Sequence, residues 1–226
     1  DPYMETNHSW GEWRYPDPSQ FLEVNTHATT LNALEWHISP TADELLDTSP
    51  PKDDTLPLST IQSNRYSDPG HILRLDFIKY LEQSGVPIDV FGSNEHKWVD
   101  YKGDLPYQKK DDGLFPYKYT FAAENNAIDN YISEKLVDAI LSETLCFYWG
   151  APNVTRWIDR GAYILLDLHD FQGSKKRIIE SMTGSEWENR LPILKREKHR
   201  IITELGLAPR VEKCVISSTD NVVPSP

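Results

Sequence analysis

The stretch "DNYISEKLVDAILSETLCFYWGAPNV" (residues 129–154) decides how the rest of this chain is read. Ser133-Glu134-Lys135 reads as a helix start, because a short polar side chain followed by an acid is ordinary capping chemistry. Leu136, Val137, Ile140 and Leu141 then fall on one face at helical spacing. "TLCFYWG" follows as a run of apolar residues too short for a buried helix, and Gly150 and Pro152 close it as a stiff turn. A near-continuous apolar strand joined to an amphipathic helix is the signature of a parallel sheet covered on both faces.

Working outward, the same alternation continues. "LPLSTIQS" (56–63) reads as a strand. "PGHILRLDFIKYLEQSG" (69–85) reads as a helix with Leu73, Phe77, Tyr80 and Leu81 inward and Gly85 as its stop. "PIDVFGS" (87–93), "YKYTFAAEN" (117–125) and "AYILLDL" (162–168) read as further strands. Two helical stretches, "SKKRIIESM" and "GSEWENRLPILKREKHRIITELG", complete the series. Before it, "SPTADELL" (39–46) predicts a helix capped by Thr41 with Glu44 three residues on, and "TSPPKDD" (48–54) reads as a linker. The expected fold class is α/β, a Rossmann-type parallel sheet over 56–206. Residues 1–55 form a separate N-terminal region and 207–226 a C-terminal tail, whose last residues "ISSTDNVVPSP" (216–226) read as disordered.

The chain has 226 residues and a formal charge of −12. That charge repels nucleic acid and anionic membrane over most of the surface, so any phosphate site must be built locally from a few cations and backbone donors. No apolar stretch is long enough to span a bilayer and no signal peptide opens the chain. Cys146 and Cys214 form no framework, and reduced thiols in a reducing compartment are expected. Asn7-His8-Ser9 and Asn153-Val154-Thr155 match the N-glycosylation pattern but are discounted as chance.

Ligands of a doubly wound sheet lie at the carboxyl ends of the strands, beside helix N-termini. Three candidates fall there. Lys135 suits a phosphate and Glu134 a ribose hydroxyl, although a capping Glu and a surface Lys are the ordinary alternative. Arg74, one turn into its helix, has the forked geometry for a pyrophosphate, or lies on the helix surface. Tyr148 and Trp149, beside the Gly-Ala-Pro turn, are candidate sugar-facing walls, or the end of a core strand. His27, Glu35 and His37 are too scattered to predict a metal, and no HExxH, paired CxxC, P-loop or GxGxxG occurs. No catalytic metal or other cofactor is expected.

Together "FAAENNAIDNYISEKLVDAILSETLCFYWGAPNV" (121–154), "GHILRLDFIKYL" (70–81) and "AYILLDLHDF" (162–171) resemble glycosyltransferase family 10, the α-1,3/1,4-fucosyltransferases, and bacterial-type members most. The resemblance covers about 56–205. It implies a GT-B architecture in which this sheet is the donor half and the N-terminal acceptor-side region is reduced. It implies an inverting, metal-independent transfer of a sugar, L-fucose from GDP-fucose, to a glycan hydroxyl. Arg74 and Lys135 would hold the diphosphate, Glu134 the ribose, and Asn125 and Tyr131 would line the donor pocket. "MET" (4–6) followed by "QFLEVNTH" is similar to the family's base-bearing loop and next strand, which makes Glu5 the candidate general base and Glu35 the runner-up. A UDP-sugar donor, and a non-catalytic nucleotide- or glycan-binding remnant, are the alternatives. The expected partners are a nucleotide sugar and a glycan, with no nucleic acid and no integral membrane segment. A cytoplasmic enzyme of microbial or viral type is expected.

Overall fold

The protein was analysed as a computed structural model that describes residues 18–20, 30–31, 33–106 and 108–219. A short helix α1 (Ala42–Asp47) begins at Thr41, whose hydroxyl accepts the Glu44 amide at 3.3 Å while Glu44 Oε2 accepts the Thr41 amide at 2.8 Å. This is the capping box that "TADE" predicts.

Strand β1 (Leu58–Gln62), helix α2 (Pro69–Gln83) and strand β2 (Ile88–Gly92) form the first crossover. Next come β3 (Tyr101–Gly103) and β4 (Tyr119–Ala123). Helix α3 (Glu134–Leu141), β5 (Leu145–Trp149) and β6 (Tyr163–Leu165) complete the sheet. Helices α4 (Phe171–Thr183), α5 (Glu186–Arg200) and α6 (Leu207–Thr219) follow, with a π-helical turn at Ile201–Leu205 between the last two.

The six strands pair in the order β3-β2-β1-β4-β5-β6, and every neighbouring pair is parallel. The order reverses between β1 and β4, and at such a switch point the crossovers diverge and leave a crevice at the carboxyl edge. All five residues of β5 are buried, as its unbroken apolar run requires.

Several details differ from expectation. On α2, Phe77 and Leu81 are buried, but Leu75 and Ile78 share that face, with Leu73 and Tyr80 only partly buried. The helix is turned so that His71 and Arg74 point inward, because Gly70 lies against Asn125 so closely that a Cβ there would stand 2.0 Å from the Asn125 carbonyl oxygen. The edge strand β3 lies in a polar stretch without a strand signal in the sequence. It has three partly or fully exposed residues, and its register shifts after Val90, so it carries no apolar alternation. A helix spans Leu207–Thr219 and so runs into the stretch 216–226 that was expected to be disordered.

Leu31, Leu34, Ile38 and Leu45, from the stretch read as a separate N-terminal region, belong to the same hydrophobic cluster as the sheet. The irregular segment 48–54 is pinned to it as well. Lys52 Nζ donates to the Ser142 carbonyl at 2.7 Å, the Phe115 carbonyl at 2.9 Å and Thr144 Oγ1 at 2.9 Å.

Candidate functional site

A cleft of about 620 Å³ opens at the carboxyl ends of β1, β2 and β4, on the switch point. Its walls come from the ends of those strands, from His71 and Arg74 on α2, from Glu134, Lys135 and Asp138 on α3, and from the 105–114 loop with Lys110. The parallel topology brings together residues that lie far apart in sequence.

Arg74 is 4% exposed. Its Nη1 donates to Asn125 Oδ1 at 2.9 Å and its Nη2 to Ser63 Oγ at 3.2 Å, while its Nε has no hydrogen-bond partner among the described residues. Burial draws its pKa down to about 10 against the opposing pull of Glu124 and Glu134. A desolvated guanidinium in a cleft wall suits an oxyanion. Asn125 is the hub here, since its side chain also hydrogen-bonds His71 and Tyr131. Burial pushes the Tyr131 phenol up, and Glu124 and Glu134 add to it, so that hydroxyl stays protonated.

Ser133 caps α3, its hydroxyl accepting the Lys135 amide at 3.4 Å. The first turn therefore aims its free N–H groups and the positive end of the helix dipole at the cleft. Lys135 Nζ donates to Ser133 Oγ at 3.1 Å and lies 3.4 Å from Glu134 Oε1 and 3.5 Å from Glu124 Oε2. Burial raises the Glu134 carboxyl, but Lys135 and Lys110 outweigh it and hold its pKa at about 2. Lys110 Nζ reaches Glu134 Oε1 at 3.2 Å and Asp138 Oδ2 at 2.9 Å.

Four of the expected residues, Arg74, Asn125, Glu134 and Lys135, thus line one cleft. Tyr131 stands beside them through Asn125. Tyr148 and Trp149 do not line it. Tyr148 is fully buried, and its hydroxyl donates to Glu124 Oε1 at 3.3 Å and accepts the Ala151 amide at 3.3 Å. It is a strut behind the site rather than a sugar-facing wall, because β5 is an interior strand covered on both faces. Trp149 is 8% exposed. Gly150 is required at this corner, since a Cβ there would stand 2.1 Å from the Tyr148 hydroxyl.

Glu5 lies outside the described residues, as does His27. Glu35 is exposed and not part of the cleft wall; His37, two positions on, is. The Asn153 amide is engaged at both ends, accepting the Asn130 amide at 2.8 Å and donating to Asn130 Oδ1 at 3.0 Å. This sequon is therefore part of a closed corner. Among the described residues no group of three or more His, Cys, Asp or Glu side chains is placed to hold a metal ion. Among them, too, no helix is long and apolar enough to cross a membrane.

Sequence reasoning missed Lys110, Asp138 and the role of Glu124. Asp138 follows Glu134 at i+4 on one helical face, and that spacing was the available signal. Lys110 carried none.

The family described as glycosyltransferase family 10 (fucosyltransferase) C-term matches residues 58–183, more than half of the chain and the whole of this cleft's sheet. The chain belongs to glycosyltransferase family 10. Among curated relatives of this family 10 chain, an α-(1,3)-fucosyltransferase of Helicobacter pylori is 31% identical over 71 residues, 31% of this chain and 14% of the relative. A GDP-fucose protein O-fucosyltransferase of Danio rerio is 25% identical over 175 residues, 63% of this chain and 38% of the relative. The chain therefore spans well under half of either protein. The fold is shared with solved α1,3-fucosyltransferase structures. One solved with GDP-fucose superposes with a TM-score of 0.52 at 19% identity, over 78% of this chain and 50% of that one. One solved with GDP gives a TM-score of 0.53 at 20% identity over the same shares. Those are GT-B proteins, and the sheet described above is one Rossmann-type half of that architecture.

Proposed function

We propose that this chain binds a nucleoside diphosphate sugar, GDP-fucose, in the β1/β4 cleft and supports inverting transfer of the sugar to a glycan hydroxyl. The observation that carries this reading is the convergence of Arg74, Asn125, Glu134 and Lys135 on one cleft at the switch point, beneath the capped N-terminus of α3. The family supplies the fucosyl donor, and the related structures solved with GDP-fucose and GDP support it.

In this reading the acceptor oxygen attacks the anomeric carbon from the face opposite the diphosphate. The carbon–oxygen bond to the diphosphate breaks, and the hydroxyl proton passes to a carboxylate base, for which Glu5 is the candidate. The departing diphosphate gathers negative charge. Arg74 and Lys135, which both line the cleft, answer that charge together with the α3 amides. These cations do the work a metal would otherwise do, so the transfer is proposed to be metal-independent. Glu134, held ionised by two lysines, accepts the ribose hydroxyls.

The test is a transfer assay over a panel of glycan acceptors with GDP-fucose, repeated for R74A and K135A. Turnover by the wild type and loss of at least about 100-fold in both variants is expected, as for removal of charge-stabilising groups. Wild-type-like turnover in both variants overturns the assignment. A response to UDP-sugars alone replaces fucose with another sugar, and binding without turnover marks a non-catalytic member.

A further inference from the structure

Glu134 is held from one side only. Its Oε1 accepts both Lys110 Nζ at 3.2 Å and Lys135 Nζ at 3.4 Å. Its Oε2 has no hydrogen-bond partner among the described residues. Two cations on one oxygen fix the rotation of the carboxylate and leave the second oxygen available in the cleft. Lys135 is Glu134's chain neighbour and its ammonium is shared with Ser133 and Glu124. Lys110 comes from a different segment and is held firmly. Its Nζ donates to Asp138 Oδ2 at 2.9 Å, and its backbone amide donates to the His37 carbonyl at 3.2 Å. Asp138 is 1% exposed, and its other oxygen accepts the His37 amide at 2.7 Å. Lys110 thus straddles two carboxylates one turn apart on α3, with Asp138 as the anchor and Glu134 as the part that is aimed.

Lys110, Glu134 and Asp138 all line the cleft. We propose that Lys110 is a positioning residue for recognition of the nucleotide's ribose: by pinning Glu134 Oε1 it presents Oε2 to the ribose diol, so that the site prefers ribonucleoside over deoxyribonucleoside diphosphates. This rests on the donor-site reading and adds to it a residue that touches no substrate and acts through Glu134. An oriented carboxylate accepts a diol without spending rotamer freedom on binding, whereas a freely rotating one does not.

The test is titration calorimetry of the full chain with GDP and with 2′,3′-dideoxy-GDP, for wild type, K110M, K110Q and K110R, with thermal melting as the control for folding. Wild type is expected to prefer GDP by about tenfold or more, about what one charge-assisted hydrogen bond contributes. K110M is expected to lose that preference while its affinity for the dideoxy compound stays unchanged, and K110R to recover it. K110Q keeps a donor for Asp138 without the charge, so it answers the question should K110M melt early. A preference retained in K110M or K110Q overturns the inference, as does an equal loss for both nucleotides, which is what a structural role would give. If wild type binds GDP and its dideoxy analogue equally, the inference fails while the donor-site reading stands. If wild type binds neither, both fail.

Discussion

Glu124 Oε2 accepts the Ser133 hydroxyl at 2.6 Å, so the carboxylate that ends β4 is tied directly to the residue that caps α3. Oε1 of the same side chain accepts the Ser133 amide at 2.9 Å. Glu124 is fully buried, and among the described residues its ion pair is with Lys135 Nζ at 3.5 Å. The relation explains how a strand end and a helix start, nine positions apart, keep one geometry. E124Q sets an amide NH2 against donors that the carboxylate satisfied. It should cost about 2 kcal/mol of stability and weaken nucleotide binding with it, as urea denaturation and calorimetry on the same sample would show.

The strut behind Glu124 makes a contrasting prediction. Y148F removes one donor to Glu124 and the acceptor for the Ala151 amide. A loss of about 1–2 kcal/mol in unfolding free energy is expected, with nucleotide affinity reduced less than in E124Q. A sugar-contacting wall would give the reverse, with unchanged stability and impaired donor binding.

His71 links folding to pH. Burial first, and the Arg74 guanidinium next, hold its imidazole below the ordinary histidine value. The unfolded chain takes up a proton near pH 6.5, where the folded chain resists it. Stability is therefore present above that pH and lost as pH falls through it, with a slope approaching about 1.4 kcal/mol per pH unit. H71Q keeps a side chain able to accept the Asp68 amide, which now meets His71 Nδ1 at 3.4 Å. Denaturant titrations between pH 5 and 8 should show this part of the slope vanish in H71Q.

Gly70 is irreplaceable on geometric grounds. A Cβ would stand 2.0 Å from the Asn125 carbonyl oxygen and 2.8 Å from that of Glu124, both backbone atoms. G70A must push α2 off the end of β4, at about 3 kcal/mol, and separate Arg74 from Asn125. A lowered melting temperature with GDP binding lost together is the expected result.

The fold was largely legible because its signals are local. The Leu145–Trp149 run, the Thr41 and Ser133 caps and the Gly150 corner each write their geometry into a few adjacent residues. The cleft residues Arg74, Glu134 and Lys135 were readable as helix-start cations and acids, and the family motif raised them above ordinary capping. What escaped depends on pairing across the sheet. Lys110 meets Glu134 and Asp138 across 24 and 28 residues, through a polar loop without periodicity. Tyr148 looked like a wall because an aromatic before a tight turn has no way of showing that its strand lies between β4 and β6. The inward face of α2 was read only in part: Phe77 and Leu81 are buried as expected, but the close contact of Gly70 with Asn125 also turns His71 and Arg74 inward.

The central claim is that the β1/β4 cleft holds a nucleoside diphosphate through Arg74 and Lys135. Its most direct test is the calorimetric affinity of the wild-type chain for GDP, compared with R74A and K135A that melt cooperatively. The account predicts binding by the wild type and a loss of about 100-fold or more in each variant, about 2.7 kcal/mol apiece. Absence of GDP binding by the wild type, or variants that bind as tightly as it does, would contradict it.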